Sequence, residues 1–557
     1  MARRRRTSSY VTPNRRAGSV MLAHPTSKPA SRRRHRRAFP WRAALAAVVL
    51  VGVVAAGVVY VLRQRAADER KREAAAAFAA AWASSDLERM WELTERATRP
   101  QLRAFQLAYK KANVAAGVVA VEVGTPGPLE DDRVTLPVTV RTDDFGELAG
   151  EVEVPVVDED GEGRVAWAPH LRLPGVRPGE RIRRSEGDAP PRGMVLAADG
   201  SRLADDGLGA SVAGSPAAGK EPATGLERIY DERLAGNAAL RLRFGDRLVK
   251  RVEGEPGRDV HSTLDVGLTN AASLALGDRL GGVAVVRPRD GAVLALAGLA
   301  VSAPQAPGST YKIITLAGAL ETGIADLADS FPVQTSATLS GVQIFNAGGA
   351  SCGGTLAASF ANSCNSVFAP LGAELGAERL VAISERFGFN ALPKQIPAIK
   401  RSEIATDLRD DLAVGAAAIG QDRDLATPLQ MATVGATIAN DGVREEPRLA
   451  REERRRARRV VSEATAQTVN ELMVGVVSGG TGTAAALPGV TVAGKSGTAE
   501  LVPTQGEPVD PANTNAWFVA FAPAEDPQVA VAVMLIRAGQ GGTTAAPVAR
   551  EVLAAAL

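Results

Sequence analysis

The segment APGSTYKIITLAGAL, residues 306–320, decides how the chain is read. Pro307-Gly308 turns the backbone, and Ser309 then opens an apolar helix expected over residues 311–322. Lys312 stands three residues after Ser309. On a helix, positions i and i+3 share a face about one turn apart, so Lys312 can reach the Ser309 hydroxyl. A serine is a weak nucleophile without a base. A lysine desolvated in a cleft, beside a second cation, loses proton affinity and can act as that base. Taken alone, Ser309 reads as an ordinary N-cap.

Two further motifs follow in order. Ser363-Cys364-Asn365 is an S-x-N triplet, and Lys495-Ser496-Gly497-Thr498 is a K-S-G-T run. Only four lysines lie beyond residue 255, and two of them are Lys312 and Lys495. Singly, Ser363 and Asn365 read as a helix end, and Lys495 as a solvated strand-end charge. The ordered set of three points instead to one site, in which Lys495 is the second cation. The N–H of Ser309 at a helix start and that of Thr498 on a strand can together hold a developing oxyanion. Gly497 is read as leaving room for a substrate backbone beside the strand.

Around the motifs, GGVAVVRPRDGAVLALAGLA (281–300) reads as strand, turn, strand. Helical patterns cover 311–322, 356–361, 374–387 and 428–440. Strand patterns return at 490–493, 499–501, 517–521 and 529–536, and 545–557 closes as a helix. Strands at both ends with helices between imply a sheet completed by the first and last segments of this region. Upstream, 66 to about 96 reads as helix, broken at Ser84-Ser85-Asp86, with Asp86 as a cap. Residues 118–173 read as strands. Residues 174–191 form a Pro/Gly/Arg-rich connection, and the charged, mixed stretch to about 255 reads as a linker.

Ala43 to Leu62 contains no charged residue. Twenty helical residues rise ~30 Å, the thickness of the bilayer hydrocarbon core. The 42 residues before it carry thirteen Lys/Arg and no acid, which holds that side in the cytoplasm and places the rest outside the membrane. Subtracting that tail leaves 52 basic against 62 acidic residues, so the body is mildly acidic. A nucleic-acid role would rest on the tail alone, and none is expected. At 557 residues, with 45% hydrophobic and 23% charged composition, the chain is multidomain folded protein. Two cysteines exclude a disulfide framework and a four-cysteine zinc site. Four histidines, two of them in the tail, leave little for a metal centre or a Ser-His-Asp triad. No metal or other cofactor is expected. A straight helix between Cys352 and Cys364 would hold them ~13 Å apart, whereas Gly353-Gly354 can fold the chain back. The sequence leaves a disulfide and two free thiols equally open.

With these motifs the chain resembles the penicillin-binding proteins, specifically the monofunctional class B transpeptidases, over most of residues 68–557. RGMVLAADGSRLA at Arg192, AAIGQ at Ala417, TPLQMA at Thr427, GGTGTAA at Gly479 and AWFVAFAP at Ala516 add to the likeness. The resemblance implies a membrane-anchored, multidomain α+β protein. Its expected parts are a disordered basic cytoplasmic tail (1–42), a transmembrane signal anchor (43–62), a small cone-like α+β domain resembling nuclear transport factors (66–175), a linker or dimerisation-type module (176–255) and a serine transpeptidase domain (256–557). It implies peptidoglycan D,D-transpeptidation on stem peptides, with covalent binding of β-lactams. Ser309 is then the acylated nucleophile, Lys312 its base and Ser363 the relay to the leaving D-alanine. Asn365 binds the acyl-side amide, Lys495 and Thr498 hold the substrate carboxylate, Ser496 lines the strand, and Gly497 counts with them as substrate-binding. Other cell-wall synthesis proteins are implied partners. The alternatives are a D,D-carboxypeptidase, a β-lactamase-like hydrolase of the same fold, and a scaffold of the cell-wall machinery. The E-x-x-L-N string that activates deacylating water in the commonest serine β-lactamases is absent.

Overall fold

The computed structural model describes residues 41–203, 212–503 and 506–557. Nearly all of the basic tail lies outside the described residues. The chain divides into two compact units. One runs to Gly179; the other spans Glu180–Leu557 and also takes in Ala115–Gly117 and Thr142–Gly146.

The first unit opens with one helix, Trp41–Ala83. The sequence reading places an anchor at 43–62 and a second helix from 66, yet the helix has no break between them. The joining residues Arg63-Gln64-Arg65-Ala66-Ala67 include no glycine, proline or cap, and all are strong helix formers. From Val48 to Leu62 the helix is exposed all round, whereas Ala75, Phe78 and Trp82 are buried. The stretch Val48–Ala83 is long and apolar enough to cross a membrane. The helix stops at Ser84-Ser85, with Ser85 at φ +59°. Asp86 then caps the helix Leu87–Glu92 by accepting from Arg89 N–H at 2.9 Å, as the Ser-Ser-Asp pattern implies. After the helix Leu102–Ala116 come strands Val118–Val123, Arg133–Thr142, Gly146–Glu159 and Glu162–Val165, neighbours in that order. Val134, Leu136, Val138 and Val140 alternate inward along the second strand. Phe78, Trp82, Phe105, Tyr109 and Trp167 form the aromatic centre of this unit, with ring centroids 5.0–6.5 Å apart.

The second unit is organised by a five-stranded antiparallel sheet. Its order is Val293–Gly298, Gly281–Val286, Val529–Leu535, Thr514–Ala522, Ala493–Glu500. Gly281–Val286 pairs directly with Val529–Leu535, so the first and last segments of the region close the sheet as expected. The two strand fragments expected at 490–493 and 499–501 are one edge strand, Ala493–Glu500, running through the K-S-G-T motif. Side-chain alternation splits the central strands between two cores. Phe518, Ala520, Val531 and Val533 pack with the helices Val266–Leu276 and Gly541–Ala556. Trp517, Val519, Ala532 and Met534 pack with the helices Lys312–Thr322 and Pro428–Ala439.

The stretch read as linker is folded. Ile182–Glu186, Leu240–Phe244 and Arg247–Val252 make a three-stranded antiparallel sheet. Val195–Leu196 pairs in parallel with Val260–His261. Leu203, Leu226 and Leu234 join the same buried cluster as the helix that follows Ser309. The alternation LRLRF, with Leu242 and Phe244 inward and arginines outward, hides a half-buried strand in a highly charged run.

Candidate active site

Ser309 sits in a single 3-10 turn, Gly308–Tyr311, that leads into the helix Lys312–Thr322. Gly308 has φ +52°, and a Cβ there would lie 2.9 Å from the Thr498 carbonyl oxygen. Only glycine lets this turn lie so close to the K-S-G-T strand. Its N–H donates to the Gly420 carbonyl at 2.8 Å, which ties the turn to the AAIGQ loop. Lys312 through Ala319 are all buried, so the helix is a fixed core element beneath the serine.

Lys312 Nζ has four oxygens around it. They are Ser309 Oγ at 3.0 Å, the Ser363 carbonyl at 2.7 Å, Asn365 Oδ1 at 2.7 Å and, more distantly, Ser363 Oγ at 3.4 Å. The two nearest can only accept. Burial, and then the charge of Lys495, hold the Lys312 amine well below its usual proton affinity. A neutral amine has two N–H groups and one lone pair. The N–H groups serve the two carbonyl-type oxygens, and the lone pair is left facing Ser309 Oγ. That is the geometry of a general base with its proton donor in place.

The S-x-N turn owes its shape to Ser363, which holds φ +61°. This left-handed conformation costs a serine roughly 1–2 kcal/mol. Hydrogen bonds from Ser363 N–H to Phe360 O (3.1 Å) and from Cys364 N–H to Ser359 O (2.9 Å) hold it. A Cys352–Cys364 disulfide, with Cα atoms 5.4 Å apart, holds it too. Of the two cysteine readings, the disulfide is the one found. Strand Cys352–Thr355 folds back through Gly354 at φ +88° before the helix Leu356–Ala361 begins. The left-handed turn points the Ser363 carbonyl at Lys312 and its hydroxyl at Lys495, whose Nζ donates to Oγ at 2.8 Å.

Lys495 is completely buried. Its second contact is the Ser496 carbonyl at 2.9 Å, and burial pushes its pKa down to about 7. Two aromatic rings lie under the amines: Phe368 is 5.7 Å from Lys312 Nζ and Phe360 is 5.5 Å from Lys495 Nζ. The Phe360 π-face offsets part of the cost of burying the Lys495 charge.

The other expected residues divide. Asn365 spends its oxygen on Lys312 and one amide hydrogen on the Phe345 carbonyl at 2.8 Å, leaving one hydrogen for a ligand. Ser496 and Thr498 line the cleft. Thr498 Oγ1 accepts from Gly541 N–H at 3.4 Å. Gly497 differs from the expectation. A Cβ there would meet Pro307 O and Thr310 Cγ2, each at 2.9 Å, and Trp517 Cβ at 3.0 Å. The space beside it is filled by the protein's own nucleophile turn, because on this strand Lys495 and Gly497 face inward while Ser496 and Thr498 face the cleft.

The cleft has a volume of about 1040 Å³ and is lined by Ser309, Ser363, Asn365, Thr481, Ser496 and Thr498, among others. Lys312 and Lys495 are buried behind this lining and contact it through Ser309 and Ser363. Phe360, Phe368, Phe345 and Thr481 also build the site; sequence reading did not single out the phenylalanines and met Thr481 only within the GGTGTAA stretch, with no role. The one signal for Phe360 and Phe368 is spacing: each stands three residues outside the S-x-N triplet. Among the described residues, no group of three or more His, Cys, Asp or Glu side chains is placed to hold a metal ion.

Residues 281–554, which contain all three motifs, match the penicillin binding protein transpeptidase domain. The peptidoglycan D,D-transpeptidase PbpA of Mycolicibacterium smegmatis is 35% identical over 401 residues, spanning 60% of this chain and 79% of the relative. The transpeptidase domain of a peptidoglycan glycosyltransferase from Eggerthella lenta superposes with a TM-score of 0.57 at 32% identity, covering 66% of this chain and 99% of that one. Penicillin-binding protein A from M. tuberculosis, solved as its penicillin G acyl-enzyme complex, superposes with a TM-score of 0.56 at 29% identity and covers 66% of this chain and all of that one. Sequence, fold and the ordered serine–lysine constellation agree, and the chain belongs to the penicillin-binding protein transpeptidases.

Proposed function

We infer that the chain is a peptidoglycan D,D-transpeptidase that cross-links stem peptides through a serine acyl-enzyme and is acylated by β-lactams. The observation that carries this reading is the buried Lys312 Nζ 3.0 Å from Ser309 Oγ, with the Ser363 carbonyl and Asn365 Oδ1 each 2.7 Å away to take its N–H groups.

Ser309 Oγ attacks the carbonyl of the penultimate D-alanine as its proton passes to Lys312. The N–H groups of Ser309 and Thr498 hold the oxyanion. Collapse breaks the amide bond, and the leaving amine takes its proton through Ser363, which draws on Lys312. An acceptor amine then attacks the ester and forms the new amide. Its proton returns by the same route to Lys312, and Ser309 recovers its own proton on departure. Ser496 and Thr498 face the terminal carboxylate, charged Lys495 attracts it from behind them, and the free hydrogen of Asn365 meets the acyl-side amide. Gly497 acts by letting the nucleophile turn approach the strand.

The rest of the chain is assigned in the same reading. Residues 43–62 span the membrane once, with the tail in the cytoplasm and the catalytic unit outside. Residues 66–175 form a nuclear-transport-factor-like domain, 176–255 a connecting module and 256–557 the transpeptidase domain. The charge-free run and the thirteen preceding basic residues support the topology. Other cell-wall synthesis proteins are its partners.

Labelling membranes with fluorescent penicillin, then intact-mass analysis and peptide mapping, tests the central claim. One adduct on Ser309, absent in Ser309→Ala, is expected. Folded protein that carries no adduct at millimolar drug would sink it.

A further inference from the structure

Thr481 lies in the GGTGT loop, just after the helix Glu463–Gly479. Its backbone N–H donates to the Ala361 carbonyl at 3.0 Å, and its hydroxyl reaches the same oxygen at 3.2 Å. On its other side the hydroxyl stands 2.6 Å from Ser496 Oγ. Ala361 ends the helix that precedes the S-x-N turn. Backbone packing pins the loop: a Cβ on Gly480 would lie 2.4 Å from Ala361 O, and one on Gly542 would lie 2.1 Å from Thr481 O. Thr481 and Ser496 both line the cleft.

We propose, building on the transpeptidase reading, that Thr481 is a positioning residue for the substrate carboxylate and acts through Ser496. Each hydroxyl has one proton, and the Ala361 carbonyl can only accept. In the empty cleft, Thr481 donates to Ala361 and Ser496 donates to Thr481. Ser496 then has no proton for an incoming anion. When a carboxylate enters, both hydroxyls turn by one step: Thr481 donates to Ser496, and Ser496 donates to the carboxylate. The Ala361 oxygen stays satisfied, because it keeps the Thr481 N–H. The chain Thr481–Ser496–carboxylate polarises along its length, which strengthens the bond to the anion. Without the Thr481 hydroxyl, Ser496 loses its acceptor in the empty site and its donor in the filled one.

The test compares full-length protein in detergent micelles as wild type, Thr481→Val, Thr481→Ser, Ser496→Ala and the Thr481→Val/Ser496→Ala pair. Stopped-flow acylation is followed with benzylpenicillin and with its uncharged methyl ester. Thr481→Val should raise the dissociation constant of the pre-acylation complex about tenfold, one charge-assisted hydrogen bond's worth. The limiting acylation rate should stay unchanged. The ester should show no such change, and Thr481→Ser should behave as wild type. The double variant should be no worse than Ser496→Ala alone, as two groups in one chain require. Multiplying losses, an equal loss with the ester, or a loss confined to the limiting rate would each overturn the proposal. Thermal melting identifies a variant that has merely misfolded, in which case Thr481→Ser and Ser496→Ala carry the comparison. A wild type that forms no adduct overturns the transpeptidase reading and this proposal with it, whereas normal wild-type acylation with multiplying losses overturns this proposal alone.

Discussion

The side-chain oxygen of Asn365 and the amine nitrogen of Lys312 are 2.7 Å apart, as close as Lys312 comes to the Ser363 carbonyl. That pair of acceptors, more than the serine itself, fixes which way the amine's lone pair faces. Asn365 is therefore part of what makes Lys312 a base.

Replacing Asn365 by aspartate would put a negative charge against the amine and favour its protonated form. Asn365→Asp is expected to slow β-lactam acylation at neutral pH by on the order of a hundredfold, the usual scale of a lost general base. The loss should shrink as pH rises and the amine is freed. A pH–rate profile identical to wild type would remove Lys312 from the role of base. Lys312→Ala should abolish acylation at every pH.

The acylation rate should form a bell. Its acid limb reports the loss of protons from Lys312, whose affinity burial and Lys495 hold well below the usual lysine range. Its alkaline limb falls as Lys495, pushed down to about 7, loses the charge that meets the substrate carboxylate. These are apparent values of a coupled pair. Lys495→Arg keeps its charge over the whole range and should move the alkaline limb upward, beyond about pH 9. A limb that stays in place assigns it to another group.

Cys352 and Cys364, twelve positions apart, close a loop around the left-handed Ser363. Reduction, or Cys352→Ser, should slow acylation several-fold and cost about 3 kcal/mol of stability in the chain-entropy account. The catalytic unit should stay folded, because one of its two main cores takes only Leu356 and Phe360 from between the two cysteines and the other takes nothing from this loop. Thiol counting on denatured, unreduced protein should find no free thiols. Two thiols per chain, or unchanged acylation after reduction, would separate the bridge from the site.

Gly497→Ala brings a methyl group to 2.9 Å from both Pro307 O and Thr310 Cγ2. Overpacking of this kind costs about 1–3 kcal/mol. The expected result is a lowered melting temperature together with a lower limiting acylation rate, since the displaced segment carries Ser309. A variant of wild-type stability whose only defect is weaker drug binding would return Gly497 to the role of substrate clearance.

The three motifs were legible because spacing along the chain carries their chemistry. Ser309 and Lys312 share a helical turn, and Lys495 to Thr498 alternate along a strand. The floor of the site was not legible in this way. Phe345 meets Asn365, and Thr481 meets Ser496, only after the chain has folded back on itself across separations of 20 and 15 positions. No local period marks such contacts. The helix Asn365–Leu375 was missed for a different reason, since Pro370 inside it argues locally against helix while its buried partners Phe368 and Leu371 hold it in place. Gly497 was misread because a glycine in a strand says that something approaches closely, and cannot say whether that is substrate or the protein itself.

The unbroken helix Trp41–Ala83 joins an apolar, all-round exposed half to a half whose Phe78 and Trp82 are fixed in an aromatic centre. Such a rod transmits angle as well as length. Each residue inserted between Leu62 and Arg70 would turn the second half about 100° around the axis relative to the first and lift it ~1.5 Å. Seven inserted residues would restore the phase nearly, at ~10 Å greater height, while three or four would miss a full turn by tens of degrees. The joint between the two halves therefore behaves as a keyed shaft, in which register and not merely span is set by the count of residues.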